Sequence, residues 1–170
     1  QNQELSDLMT VVASELVEYK PTHHLLTDDQ APVELLGMNM LDEMISQELG
    51  HYQSILKEKG IHIGAHIKSI FDTEDREFEN KDRNPEVFES LRQEFLPFLN
   101  KEIRVPLENK IRAVKDDGDS VGGVVEISVI GMPAGVGDPF FNSVESELAS
   151  MMYSIPAVKG LEFGAGFAIA

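Results

Sequence analysis

The sequence predicts an α+β fold: an antiparallel sheet with helices packed on one side. Three observations carry this. Ile61, Ile63, Ala65 and Ile67 alternate with His62, His66 and Lys68, the two-residue period of a strand with one covered face. Val124–Ile130 is a β-branched run bounded by Gly122-Gly123 and Gly131, as expected of a largely buried strand. Between and around these, apolar residues recur at helical spacing in several segments, so the element order mixes helices and strands.

Taken in order, Leu5, Leu8, Met9, Val12 and Leu16 predict a short amphipathic helix that Pro21 stops. A second helix is expected from Pro32 to Gly60 on Leu35, Leu36, Met40, Leu41, Met44, Ile45, Leu49, Tyr52, Ile55 and Leu56. Residues 1–57 are therefore read as a helical N-terminal segment, and 58–170 as the α+β domain. After the first strand, residues 72–83 hold nine charges around Phe78, which predicts a solvated loop. Asn84-Pro85 places a capping side chain before a proline at the first helical position, and Val87, Phe88, Leu91 and Phe95 mark that helix's apolar face up to Pro97. Leu107, Ile111 and Val114 predict a further short helix. Beyond the second strand, 133–139 is a Gly/Pro loop, Phe141 to Met152 a helix ended by Pro156, and 158–167 a last, glycine-punctuated strand.

Composition excludes several functions. Thirty acidic residues against fourteen basic give a net charge of −16, which repels phosphate backbones and anionic lipid. Nucleic acid and membrane are not expected partners. No apolar run is long enough to span a bilayer and no signal sequence opens the chain, so a cytoplasmic protein is expected. The absence of cysteine removes disulfides, thiolate nucleophiles and cysteine-based zinc sites. The five arginines, Arg76, Arg83, Arg92, Arg104 and Arg112, form no cluster able to grip a phosphorylated ligand bidentately. A start at Gln1 suggests a piece of something longer.

Individual candidates for chemistry each have a plainer reading. His62 and His66 on a strand would stand roughly 13 Å apart, too far to share a metal, and are expected as solvent-facing side chains. His23 and His24 beside Thr27-Asp28-Asp29 fit a capped turn. Gly131-Met132-Pro133-Ala134-Gly135-Val136-Gly137-Asp138-Pro139 joins a strand to a helix, a context in which backbone N–H groups can hold phosphate. It lacks the third glycine of a dinucleotide fingerprint and the Lys-Ser/Thr of a P-loop, and Asp138 opposes an anion. A tight turn explains it better. Met151-Met152 with Phe140 and Phe141 could line a flavin pocket, and read more simply as core.

Three strings reach further: Asp119-Ser120-Val121-Gly122-Gly123-Val124-Val125-Glu126, then Gly131 to Pro139 as above, then Tyr153-Ser154-Ile155-Pro156-Ala157-Val158-Lys159-Gly160-Leu161-Glu162-Phe163-Gly164-Ala165-Gly166-Phe167. In order and spacing they resemble the middle of chorismate synthase, and the likeness reaches back to Ile61-His62-Ile63-Gly64-Ala65-His66-Ile67. The resemblance implies part of a β-α-β sandwich, a homotetramer, reduced FMN as cofactor and a phosphorylated small-molecule substrate. The implied reaction is the 1,4-anti elimination of phosphate from 5-enolpyruvylshikimate 3-phosphate to chorismate, in aromatic amino acid biosynthesis. Pro156 and Ala157 fall where the family touches FMN. Proline has no N–H, so Pro156 would offer only a carbonyl or van der Waals contact. The family's two active-site histidines, its Gly-Arg-Ser-Ser-Ala-Arg segment and its later flavin-binding segment have no counterpart here. No catalytic residue is therefore assigned, and this chain alone is expected to be incomplete; the alternative is a non-catalytic structural module retaining the family core. Leu25–Glu34 resembles instead the C-terminal tail of spermidine-synthase-like proteins.

Overall fold

A computed structural model describes residues 53–94, 96–155 and 158–169. The helix expected at 5–18, the His23/His24 turn, the tail-like segment 25–34 and most of the 32–60 helix lie outside the described residues, as does Phe95. Residues 53–58 are helical, consistent with the end of that second helix, and turn at Lys59-Gly60. The chain divides into two compact units, one of residues 61–131 and the other of 1–60 with 132–170.

The 61–131 unit is built on a three-stranded antiparallel sheet. Its strands are β1 (His62–Ile70), β2 (Thr73–Glu74) and β3 (Gly123–Ile130), in the order β2-β1-β3. β1 and β2 form a tight hairpin, Ile70 opposite Thr73, whose two-residue turn holds Phe71 at a positive φ of 55°. β1 pairs with β3 from His62↔Ile130 to Ile67↔Val125, then resumes at Ser69↔Val124, so Lys68 is an inserted residue. This bulge is stabilised from outside the ladder: the Ile67 N–H donates to the Pro97 carbonyl at 2.9 Å, and the Lys68 carbonyl accepts from Asp75 N–H at 2.7 Å. One inserted residue reverses the alternation, so Ile67 and Ile70 share a face and pack with Leu96, Phe98 and Leu107.

Helix α1 (Pro85–Arg92) begins as the sequence predicts: Asn84 is extended, its side chain accepts from Val87 N–H at 3.0 Å, and Pro85 opens the first turn. It stops at Arg92, short of the Pro97 boundary. Its apolar side covers the sheet through Phe88 and Leu91, which cluster with Phe78 and the half-buried Ile130. Gly64 makes this approach possible, because a Cβ there would lie 2.1 Å from Phe88 Cδ1. Helix α2 (Arg104–Asp116) follows a 3-10 turn at Lys101–Ile103 capped by Asn100 and ends at Gly118, φ 74°. It contributes the fully buried Leu107. The α+β class and the antiparallel sheet are as expected.

Three local expectations change. The 72–83 run is exposed at most of its charges, as expected, but it also folds inward, with Asp75, Phe78 and Asp82 buried. The two buried carboxylates have partners within the fold, Asp82 in Arg76 and Asp75 in backbone N–H groups. β3 is the end strand of the sheet among the described residues, and it is half-exposed. In the other unit, helix α3 (Val144–Ser154) is capped by Ser143, whose hydroxyl accepts from Ser146 N–H at 3.2 Å, and buries Met152. The strand expected over 158–167 is not formed: Val158–Phe163 is irregular, and Gly164 (φ 61°) and Gly166 (φ 50°) turn the chain into a 3-10 segment at Gly166–Ile169. Glycines at positive φ break the extended run that strand pairing requires.

Candidate functional site

The most concentrated polar cluster in the 61–131 unit is centred on His66, which is 0% exposed. The β1–β3 register sets Glu126 directly opposite it, and Nε2 lies 2.8 Å from Glu126 Oε2. The same carboxylate accepts the Phe78 backbone N–H at 3.1 Å. The Phe78 ring stands edge-on to the imidazole, centroids 4.6 Å apart at 84°. On the other side of the ring, Nδ1 is 3.6 Å from Asp75 Oδ2 and has no hydrogen-bond partner. Asp75 is itself occupied, accepting N–H groups from Leu99 at 2.6 Å, Asn100 at 3.1 Å and Arg76 at 2.8 Å.

This arrangement corrects the solvent-facing reading of His66. Strand alternation puts His66 on the face opposite Ile63, Ala65 and Ile67, and the charged loop closes over that face. The chemistry available to a fully buried imidazole held between two engaged carboxylates is structural: it ties β1, β3 and the loop together. His62 is half-exposed at the far end of the strand. No group of three or more His, Asp or Glu suited to a metal occurs among the described residues.

The glycine-rich turn behaves as a turn. Gly135 and Gly137 take φ 86° and 83°, Asp138 N–H donates to the Asn142 carbonyl at 2.9 Å, and a Cβ at Gly137 would press on Val144 N at 3.0 Å. The first turn of α3 carries Glu145 and Glu147, which disfavour an anion at that terminus. Phe140 and Phe141 are 87% and 90% exposed, whereas Met152 is buried, so of the four residues read as core only Met152 is fully so.

Pro156 and Ala157 lie outside the described residues. Around them, Ile155 N–H closes α3 onto Met152, Val158 N–H bonds Ile155, and Lys159 is exposed.

A phosphorylated cofactor needs cations, and here most are spent. Arg76 grips Asp82 with two nitrogens, at 2.5 and 2.9 Å. That ion pair is the main reason the Asp82 carboxyl is lowered to about 2. Arg83 donates to the Phe78 carbonyl and Arg92 to that of Ile63. Arg104 binds Glu108 and Glu94, at 3.0 and 2.7 Å. Lys68 pairs with Glu77, which raises the lysine and lowers the acid. With Arg76, Arg92 and Arg104 held in ion pairs and Arg83 exposed with its charge retained beside a carbonyl, the described residues by themselves offer few uncommitted cations to an FMN phosphate.

Comparison with known proteins supplies what the geometry does not. The chorismate synthase family profile matches residues 51–170. A chorismate synthase from Pyrococcus abyssi is 38% identical over 118 residues, covering 69% of this chain and 31% of that protein. One from Synechocystis sp. is 38% identical over 109 residues, 64% of this chain and 29% of its own length. One from Chitinophaga pinensis is 65% identical over 52 residues, 31% of this chain and 16% of that protein. A crystal structure of chorismate synthase superposes with a TM-score of 0.59 at 31% identity, covering 68% of this chain and 37% of that one. The chain thus spans about a third or less of the length of these relatives. No described helix is long and apolar enough to cross a membrane. The profile match over residues 51–170 and the shared α+β architecture place this chain in the chorismate synthase family.

Proposed function

We propose that the chain serves the chorismate synthase reaction, the elimination of phosphate from 5-enolpyruvylshikimate 3-phosphate with reduced FMN, as an incomplete part of that enzyme. In this reading it supplies the β1–β3 sheet, the glycine-rich turn and the 153–167 segment, with Pro156 and Ala157 against the flavin, in a cytoplasmic homotetramer. The observation that carries the reading is the family match over residues 51–170. In the complete enzyme the residues of this chain would contribute scaffold around the flavin, and Pro156 would offer it no backbone donor.

The engaged arginines favour a specific limit on that role. FMN and substrate both carry phosphate, and a chain of net charge −16 with four arginines in internal bonds holds such groups weakly. Anaerobic mixing with reduced FMN and substrate, followed by chorismate absorbance, is expected to show no turnover by the 170 residues alone. Robust turnover would overturn the claim of incompleteness. The same observation supports a second reading, a non-catalytic module that keeps the family core. An equilibrium FMN titration separates them: micromolar binding supports a retained cofactor surface, and none at millimolar flavin supports the module.

A further inference from the structure

We propose that His66 is a proton-operated clasp: a second ring proton lets it bond Asp75 as well as Glu126, which tightens the 72–83 loop and the Leu99–Asn100 backbone onto the sheet. The clasp belongs to the 61–131 unit and operates whether or not the chain turns over substrate.

Among the described residues, Nδ1 of His66 is the one buried side-chain nitrogen or oxygen with no hydrogen-bond partner. Buried polar groups are paired as a rule, and leaving one unpaired costs stability. On the other side of the ring, Nε2 lies 2.8 Å from Glu126 Oε2, an oxygen that also accepts the Phe78 N–H. That carboxylate therefore acts as an acceptor, and the network assigns a proton to Nε2. A neutral ring in this tautomer presents a lone pair at Nδ1, and the atom it faces is Asp75 Oδ2 at 3.6 Å. Two acceptors so placed repel. A proton on Nδ1 resolves the conflict by making the lone pair a donor and the ring a cation between two carboxylates. A closing movement of about 0.7 Å would then bring the pair to hydrogen-bond length.

The groups that face the ring come from several elements. Glu126 reaches it from β3, and Asp75, with a buried side chain, from the loop. Two cations stand near these carboxylates and are paired elsewhere: Lys68 of β1, in the field of Glu126, holds Glu77, and Arg76, in the field of Asp75, holds Asp82. From α1, Phe88 backs Phe78, while Arg92 donates to the Ile63 carbonyl. The 96–100 segment contributes the uncharged N–H groups of Leu99 and Asn100, both accepted by Asp75. The same segment supplies the Pro97 carbonyl that receives Ile67 N–H, so a tighter Asp75 also steadies the β1 bulge. Histidine is the side chain that changes charge between about pH 5 and 8. The clasp is closed on the acid side of that range, where the extra proton is held, and loosened on the alkaline side.

Proton–nitrogen correlation spectra of the imidazole rings in the full 170-residue chain, with His66 assigned through its own backbone, read the proton directly. Between about pH 5.5 and 8 the His66 ring is expected to pass from both nitrogens protonated to Nε2–H alone. Amide exchange at Leu99 and Asn100, corrected for its intrinsic pH dependence, should show an opening constant on the order of tenfold larger at the alkaline end. Asp75→Asn keeps an oxygen for those two N–H groups but no charge for the ring, and should flatten this dependence while keeping the circular dichroism spectrum. A ring whose protonation is constant across the range, a neutral ring carrying its proton on Nδ1, or a pH dependence that survives Asp75→Asn would overturn the proposal. The ring spectra of the unaltered chain decide the matter even if the variant fails to fold.

Discussion

Gly64→Ala is the sharpest perturbation the fold allows, because two effects of known size oppose each other there. In a strand interior alanine is ordinarily better than glycine by roughly 0.5–1 kcal/mol. At Gly64, however, the new Cβ would sit 2.1, 2.3 and 2.7 Å from three ring atoms of Phe88, where carbon atoms need about 3.5–4.0 Å. The ring has little room to retreat: it is buried and stands edge-on to Phe78, centroids 5.6 Å apart at 70°. Overpacking of this kind costs about 1–3 kcal/mol, and the severity of the overlap puts Gly64→Ala near the upper end. The net expectation is a destabilisation of about 2 kcal/mol, measured by urea unfolding followed by far-ultraviolet circular dichroism. Phe88→Leu, which removes the offending ring edge, should be costly in the parent but much less so when combined with Gly64→Ala. The cycle of single and double variants should show a coupling of at least about 1 kcal/mol. A neutral or stabilising Gly64→Ala, or strict additivity with Phe88→Leu, would refute the claim that α1 rests on β1 through this glycine.

Other expectations concern the charged loop and its anchors. His66→Ala removes one of the two partners of the Glu126 carboxylate, leaving it the Phe78 N–H, and opens a cavity beside Phe78; a loss of about 2 kcal/mol is expected, with faster hydrogen exchange over residues 72–83. His66→Phe should cost less than His66→Ala in the same thermal unfolding measurement, because it refills the space. Asp82, with its carboxyl lowered from 3.8 to about 2 by Arg76, stabilises the folded state fully above its unfolded value and ceases to do so as pH falls through 2. Acid titration of stability should therefore steepen between 3.8 and about 2, and Asp82→Asn should remove that portion; an unchanged profile would count against the Arg76–Asp82 pair. Asn84→Ala, which deletes the α1 cap at Val87 N–H, should cost about 1 kcal/mol, and a cost indistinguishable from zero in urea unfolding would contradict the cap.

The sequence by itself determined the features whose cause is local. Asn84-Pro85 starts α1 because a capping oxygen and a preset φ act within one turn. β1 and the β-branched run of β3 follow from period and residue type, and the glycine-rich turn is a turn because its glycines and Asp138 make it one. The long ordered strings from Asp119 onward also carried the family, which no spacing argument reached. Tertiary structure alone decided what covers each strand face. His66 alternates with apolar residues just as a solvent-facing residue would, and only the pairing of β1 with a partner 60 residues away, together with closure of the loop over Phe78, encloses it. The loop reads as solvated, and most of its charges are exposed; the burial of Asp75 was not legible because its bonds to Leu99 and Asn100 exist only once the chain folds back. β3 reads as buried because β-branched residues favour any pleated strand, central or edge, and whether a neighbour lies on its far side is a matter of topology rather than composition.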